Sequence, residues 1–170
     1  MTRGFVALLA AALAVYLPMV LWSLPFLSRL SGGEVMFDLR PTGYGYDDAE
    51  QIIAALGDVG RQYYLEVQHR YDSLYPALLA GVLLLAYRGL FSGRVLWVGS
   101  AAALAGMVAD YLENAAVAVM LRAGPAGLTS EMVAAANIRT LVKSGFGAAS
   151  MTLLMIGVLA WGWRRWRRPV

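Results

Sequence analysis

Cysteine is missing from this sequence altogether. Its absence excludes a disulfide framework, a CxxC redox pair and a thiolate metal site, and with them a four-span thiol redox enzyme. Histidine occurs once, as His69, so a multi-histidine zinc or haem site is excluded too. Charge is scarce: 15% of the residues are Asp, Glu, Lys or Arg, against about 25% in a soluble domain. There is no HExxH, no GxSxG, no phosphate-cradling glycine loop and no aspartate-rich diphosphate-binding pair. No internal repeat or low-complexity tract is present. The inventory predicts no cofactor and no bound metal.

What the chain has in quantity is apolar surface: 59% hydrophobic residues and a mean hydropathy of +0.59 over 170 residues. That length fits one domain, residues 1–170, and that composition fits an all-α integral membrane protein. A pI near 9.4 would suggest nucleic acid as the partner of a soluble protein. In this chain the basic residues are better explained by membrane topology, so the expected partner is the lipid bilayer and no nucleic acid.

Four apolar runs fall at about 5–27, 74–90, 95–121 and 134–163, and a helix needs roughly 20 such residues to cross a bilayer. The first run has Arg3 before an alanine-rich stretch, as a signal peptide would. Its apolar stretch is too long, and no small-residue cleavage site follows, so an uncleaved helix is expected. Pro18 and Pro25 predict a kink, with helix lost near Ser23 to Pro25. Pro76 predicts a kink in the second span and frees the backbone carbonyl of Asp72. Gly145, Gly147, Ala148 and Ala149 in the fourth span predict close approach of a neighbouring backbone. Thr129 or Ser130 is the expected cap of that helix.

Between the first two spans, residues 28–72 carry eight acids against four arginines and five of the nine tyrosines, with Tyr75 just beyond. Asp47 is placed to cap a helix from Asp48 to Leu56, with Gly57 as its stop. Ile52, Ile53 and Leu56 give it an apolar stripe, so it should lie on the bilayer surface or cap the bundle, placed to act as a lid. Asp58 can cap a second helix that starts near Val59 and runs into the second span. The tyrosines read as an interfacial belt.

Arginines mark the topology. Arg3, Arg88, Arg94, Arg164, Arg165, Arg167 and Arg168 lie in three segments without an acid, and all eleven acids lie in the intervening parts. The positive-inside rule then puts both termini in the cytoplasm of a bacterial-type plasma membrane and 28–72 outside. With short second and third connections, the expected architecture is a four-transmembrane-helix up-down bundle with a partly helical extracytoplasmic segment between helices 1 and 2.

The third span holds Asp110, Glu113 and Asn114 on one helical face. A charged group in hydrocarbon costs roughly 2.5–3.5 kcal/mol even on the lenient insertion scale, so these side chains need protein or water partners. The loop at 123–129 is short, so the third and fourth spans should pack antiparallel. Setting Arg122 level with Glu131 brings Asp110 to Lys143, and Glu113 or Asn114 to Arg139. Matching the other ends, Arg94 with Arg164, shifts the pairs by about five residues, or roughly 7 Å; the loop-side register is preferred. Arg61, Leu65, Gln68 or His69, and Asp72 share a stripe above Pro76. The candidate site is therefore Asp110, Glu113, Asn114, Arg139, Lys143, Asp72, His69 and Arg61, with Asp110 as the deepest acid and the one expected to matter most.

The cluster itself reads first as a structural ion-pair ladder that pins the register of the third and fourth spans, and for the protein as a whole three functions are open. The absence of catalytic motifs and the acidic, tyrosine-rich outer segment favour a non-enzymatic accessory or scaffold subunit, docked in a larger membrane complex. The first alternative is binding or modification of a lipid or amphiphile in an outward-facing polar cavity. There Asp110 and Glu113 would be acid and base, with His69 or Asp72 as partner. The second is an ion or proton pathway, for which the inner half of the bundle offers only Ser100, Ser150 and Thr152.

Overall fold

The computed structural model describes residues 3–167; Arg168, one of the topology-marking arginines, lies outside them. Four helices are long and apolar enough to cross a membrane: α1 (Arg3–Leu30), α2 (Tyr46–Leu90), α3 (Gly93–Gly127) and α4 (Ser130–Trp166). A 3₁₀ turn, Phe37–Leu39, lies between α1 and α2. Most of their length presents aliphatic side chains outward, with Leu21, Val98 and Leu159 all more than 60% exposed.

α1 does not end at Ser23 to Pro25. It passes through a π turn, Met19–Ser23, in which the Leu24 N–H reaches back to the Met19 carbonyl, and continues to Leu30. The wide turn gives room for Pro25, whose ring would otherwise meet the carbonyl four residues earlier. A second π turn, Tyr64–Gln68, interrupts α2, and the two π turns touch.

α2 starts with an arm that ends at Gly57, whose φ of 58° and ψ of −171° break the helix where the sequence predicts a stop. Its cap differs from expectation. Gly45 stands at the N-cap, and Asp48 rather than Asp47 supplies the carboxylate, accepting the Gly45 N–H at 2.9 Å. This is the returning half of a capping box, which a carboxylate three residues into the helix can reach. Arg40 holds the same carboxylate at 2.9 Å.

The arm is a fixed part of the interior. Ile52 and Ile53 are fully buried, with Leu27, Met36 and Phe37 from the preceding chain and Met120, Leu121, Val133 and Ala136 from α3 and α4. Tyr44 and Tyr64 belong to this core as well, which takes these two tyrosines out of the expected interfacial belt. Burying such side chains contributes roughly 1.5–3 kcal/mol each, enough to hold the arm down. Gly43 lets the chain before the arm press on α4. A Cβ there would fall 2.2 Å from Asn137 Oδ1, which accepts the Tyr44 N–H at 3.0 Å.

α3 and α4 run side by side in opposite directions. Gly99 meets Leu153, Gly106 meets Phe146, and Glu113 meets Thr140, so the register is the one set by the loop end. Thr129 caps α4 through the Met132 N–H. Close approach occurs at Gly99 and Gly157, not at the expected Gly145 and Gly147, which meet nothing within 4 Å. Those two glycines lie on the outward side of α4.

Candidate functional site: a buried polar cluster

Pro76 explains the first contact. Its missing N–H leaves the Asp72 carbonyl without a helical partner, and Asn114 of α3 donates its Nδ2–H to that oxygen at 3.3 Å. The Asn114 amide also donates to Asp110 Oδ1 at 3.2 Å. Gln68, one turn above Asp72, donates to both of its carboxylate oxygens at 3.2 and 3.4 Å. A proline in α2 thus fixes why an amide stands at position 114 and which way it faces.

Lys143 joins α4 to this group. Its ammonium lies 3.2 Å from Asp110 Oδ1 and forms a short ion pair with Glu113 Oε2. Thr140, one turn earlier, donates to Glu113 Oε1 at 2.6 Å. Glu113 is the most enclosed acid of the cluster, 1% exposed, although Asp110 lies deeper along the helix. The sequence-based pairing of Arg139 with Glu113 is corrected. Arg139 donates to the Ala135 carbonyl of its own helix at 2.8 Å, and Lys143 serves both acids instead. Positions 139 and 140 differ by about 100° around the helix, so equal height does not give equal direction.

The chain between α1 and α2 and the π turn of α2 close one end of the cluster. Tyr64 donates its hydroxyl to Asp38 of the 3₁₀ turn in a short hydrogen bond. Asp38 is near enough to act electrostatically on Asp72, Asp110, Glu113 and Lys143. Burial pushes the Tyr44 hydroxyl up to about 12, so it stays neutral. His69 bridges two helices: Nδ1 lies 3.1 Å from the Tyr64 carbonyl, and Nε2 lies 3.1 Å from the Asn114 carbonyl. A neutral imidazole has one N–H and satisfies one of these oxygens; which one depends on its tautomer.

Arg61 is not part of this group. It pairs with Asp58 at 2.5 Å and lies against Gly124, where a Cβ would be 3.2 Å from its guanidinium carbon. Of the eight candidates, Asp72, His69, Asp110, Glu113, Asn114 and Lys143 come together, and Arg61 and Arg139 stand apart. Sequence reasoning missed Asp38, Tyr64 and Thr140. Thr140 had a usable signal, since it precedes Lys143 by one helical turn. Asp38 had none, because it sits in chain without periodicity.

Two carboxylates, Asp110 and Glu113, therefore share one ammonium, with Asp72 tied to the same group through Asn114. Such a group is stable only while its members keep their partners, because an uncompensated buried charge is far costlier than the pair is favourable. No group of three or more His, Asp or Glu is placed to hold a metal ion among the described residues. What the arrangement does chemically is tie the outer segment, α2, α3 and α4 into one hydrogen-bonded unit. Comparison with protein-family models, with curated proteins and with solved structures finds no match.

Proposed function

We propose that this chain is a non-enzymatic accessory subunit of a membrane complex. It is an up-down bundle in a bacterial-type plasma membrane, with both termini cytoplasmic and the segment between α1 and α2 outside. The distribution of arginines supports that orientation. The outer segment is anchored as a cap, since Met36, Phe37, Ile52, Ile53 and Leu56 are committed to the core, while Val35, Leu39 and Val59 stay exposed. Docking belongs instead to the groove between the outer halves of α3 and α4.

The observation that carries this reading is Arg139. It stands about 13 Å along α4 from Ser130, half-buried, with the Ala135 carbonyl as its hydrogen-bond partner and no carboxylate within ion-pair distance among the described residues. The groove it borders has a volume of about 430 Å³ and is lined by Leu112, Ala115, Ala116, Val119, Met132 and Ala135, with Glu131 at its loop end, beyond ion-pair distance of Arg139. Alanines on both walls permit close approach of another helix. A guanidinium at membrane depth favours a carboxylate opposite it. The fitting occupant is a transmembrane helix of another protein that carries an Asp or Glu.

The test is a photo-crosslinker at Val119, in the groove, and one at Val6 on α1, each with and without Arg139→Leu. A discrete protein adduct from Val119 alone, lost with Arg139→Leu, is the expected result. An Arg139-dependent lipid adduct would support the amphiphile-binding alternative, with the anionic head at Arg139 and the chain in the groove. A pathway for protons has less support. Toward the arginine-rich end, Tyr87 spends its hydroxyl on the Ser150 carbonyl at 2.8 Å, and aliphatic side chains surround the pair.

A further inference from the structure

At the opposite end of the bundle the turn between α2 and α3 seats against the last turns of α4. Gly157 makes this possible: a Cβ there would fall 2.6 Å from Phe91 Cζ and 3.1 Å from Leu90 Cδ1. Positions 157, 161, 164 and 165 share one helical face. Above Gly157, that face and the turn enclose a cavity of about 410 Å³ lined by Leu90, Phe91, Ser92, Trp161, Arg164 and Arg165, with no acid in its wall.

The wall is built for an anion. Arg164 donates Nε–H to the Ala160 carbonyl at 3.2 Å, a bond that does not use its two terminal nitrogens. Arg165 lies 5.7 Å from the centre of the Trp161 ring, a cation–π contact that steadies both side chains. Ser92 is extended at the N-cap of α3, and its hydroxyl caps no helical N–H. Oriented N–H groups of the first turn of α3 therefore add to the positive field. The level of the cavity decides the ligand class. Trp97, Trp161, Trp163 and Trp166 are all exposed at this end, the belt expected where hydrocarbon gives way to headgroups. Basic recesses between spans at that level receive lipid phosphates.

We propose that this cavity binds the phosphate of an anionic phospholipid headgroup, held by Arg164 and Arg165 with the glycerol edge against Trp161. The proposal rests on the membrane placement of the four helices and is independent of the groove at Arg139. The full chain, purified in detergent, is exchanged into nanodiscs of phosphatidylcholine with 20% phosphatidylglycerol, and retained lipid is read by native mass spectrometry after release into detergent. Phosphatidylglycerol should be enriched over phosphatidylcholine. Arg164→Gln with Arg165→Gln should lower that preference by about tenfold to thirtyfold, at about one kcal/mol per arginine. Arg167→Gln removes a charge whose guanidinium stacks on Trp163 outside the cavity, and should change the preference less than twofold. Equal loss from Arg167→Gln, or no loss from the double variant, would overturn the site. Displacement of phosphatidylglycerol by millimolar inorganic phosphate would overturn the lipid assignment in favour of a free anion. Arg139→Leu should leave the preference intact, so failure here and failure of the docking groove can be told apart.

Discussion

Around Glu113, α2, α3, α4 and the chain between α1 and α2 meet through amides, carboxylates and a lysine. Around Gly99 and Gly157 the same helices meet through glycine, leucine and aromatic rings. The difference is one of tolerance. Dispersion contacts at the glycine end are numerous and individually small, so a misfit there can be shared among flexible neighbours. At the polar end each group has one or two partners, and a lost partner leaves a largely buried charge or carbonyl without compensation, most of all at Glu113. The polar end should therefore respond to single substitutions sharply and cooperatively, and the glycine end gradually.

Lys143→Met is the most damaging change expected. It keeps the length of the stem and removes the cation that faces both Glu113 and Asp110. Loss of one partner from a buried charged group costs roughly 3–5 kcal/mol, readable as a fall in unfolding midpoint in detergent. Adding Glu113→Gln should recover a good part of it, because the pair is then neutral on both sides. Strict additivity of the two changes would mean that the ammonium and Glu113 are not coupled, and the contrast between the halves would fail at its strongest point.

Next comes Asn114→Ala, expected to cost about 1–3 kcal/mol, the penalty for leaving a buried acceptor without a donor. Its cause is open to direct test, because the acceptor exists on account of Pro76. In a Pro76→Ala background the N–H of residue 76 can take the Asp72 carbonyl, and Asn114→Ala should then cost much less. Equal cost in both backgrounds would mean that Asn114 acts mainly through Asp110.

Much of this frame was legible before any coordinates. Apolar runs placed the helices, Gly57 marked the break in α2, and the short loop at 123–129 fixed the height of Asp110 against Lys143. Counting along two antiparallel helices gives height but leaves rotation open, which is why Arg139 was expected inside and lies in a groove. Proline rules predicted a broken α1, yet a π turn next to that of α2 carries the helix through, and such turns depend on tertiary neighbours that local sequence does not name. The roof over the site was hidden for a similar reason. Asp38 meets Tyr64 from 26 residues away in irregular chain, and no periodicity announces a contact of that kind.

At the glycine end, Gly99→Ala should cost only about 1–2 kcal/mol, a typical price of overpacking. The new Cβ would fall 2.5 Å from Leu153 Cδ2 and 3.2 Å from Tyr87 Cε2, and both side chains can shift. Leu153→Val in the same chain should relieve part of the loss. A cost as large as that of Lys143→Met would erase the distinction between a forgiving and an unforgiving half.

The smallest effect belongs to Asp48, at the exposed start of α2, where the chemistry is polar but the side chain is open to solvent. The Gly45 N–H, and after it Arg40, hold its carboxyl below the usual aspartate range. A depressed folded value means that folding favours the ionised form. The contribution is then complete above the ordinary aspartate value near ~3.9 and drains away as pH falls through the lower, folded value. Asp48→Asn keeps an oxygen for the Gly45 N–H and removes only the charge. With half of the side chain in solvent, the loss at neutral pH should stay below about 1 kcal/mol. The difference in Tm between the two proteins should be largest near neutrality and vanish in acid. A difference that stays constant down to about pH 3, below the ordinary aspartate value, would assign the effect to hydrogen-bond geometry instead. The polar contacts of the exposed surface would then act through shape, as the glycine contacts do, and charge would matter only where it is buried.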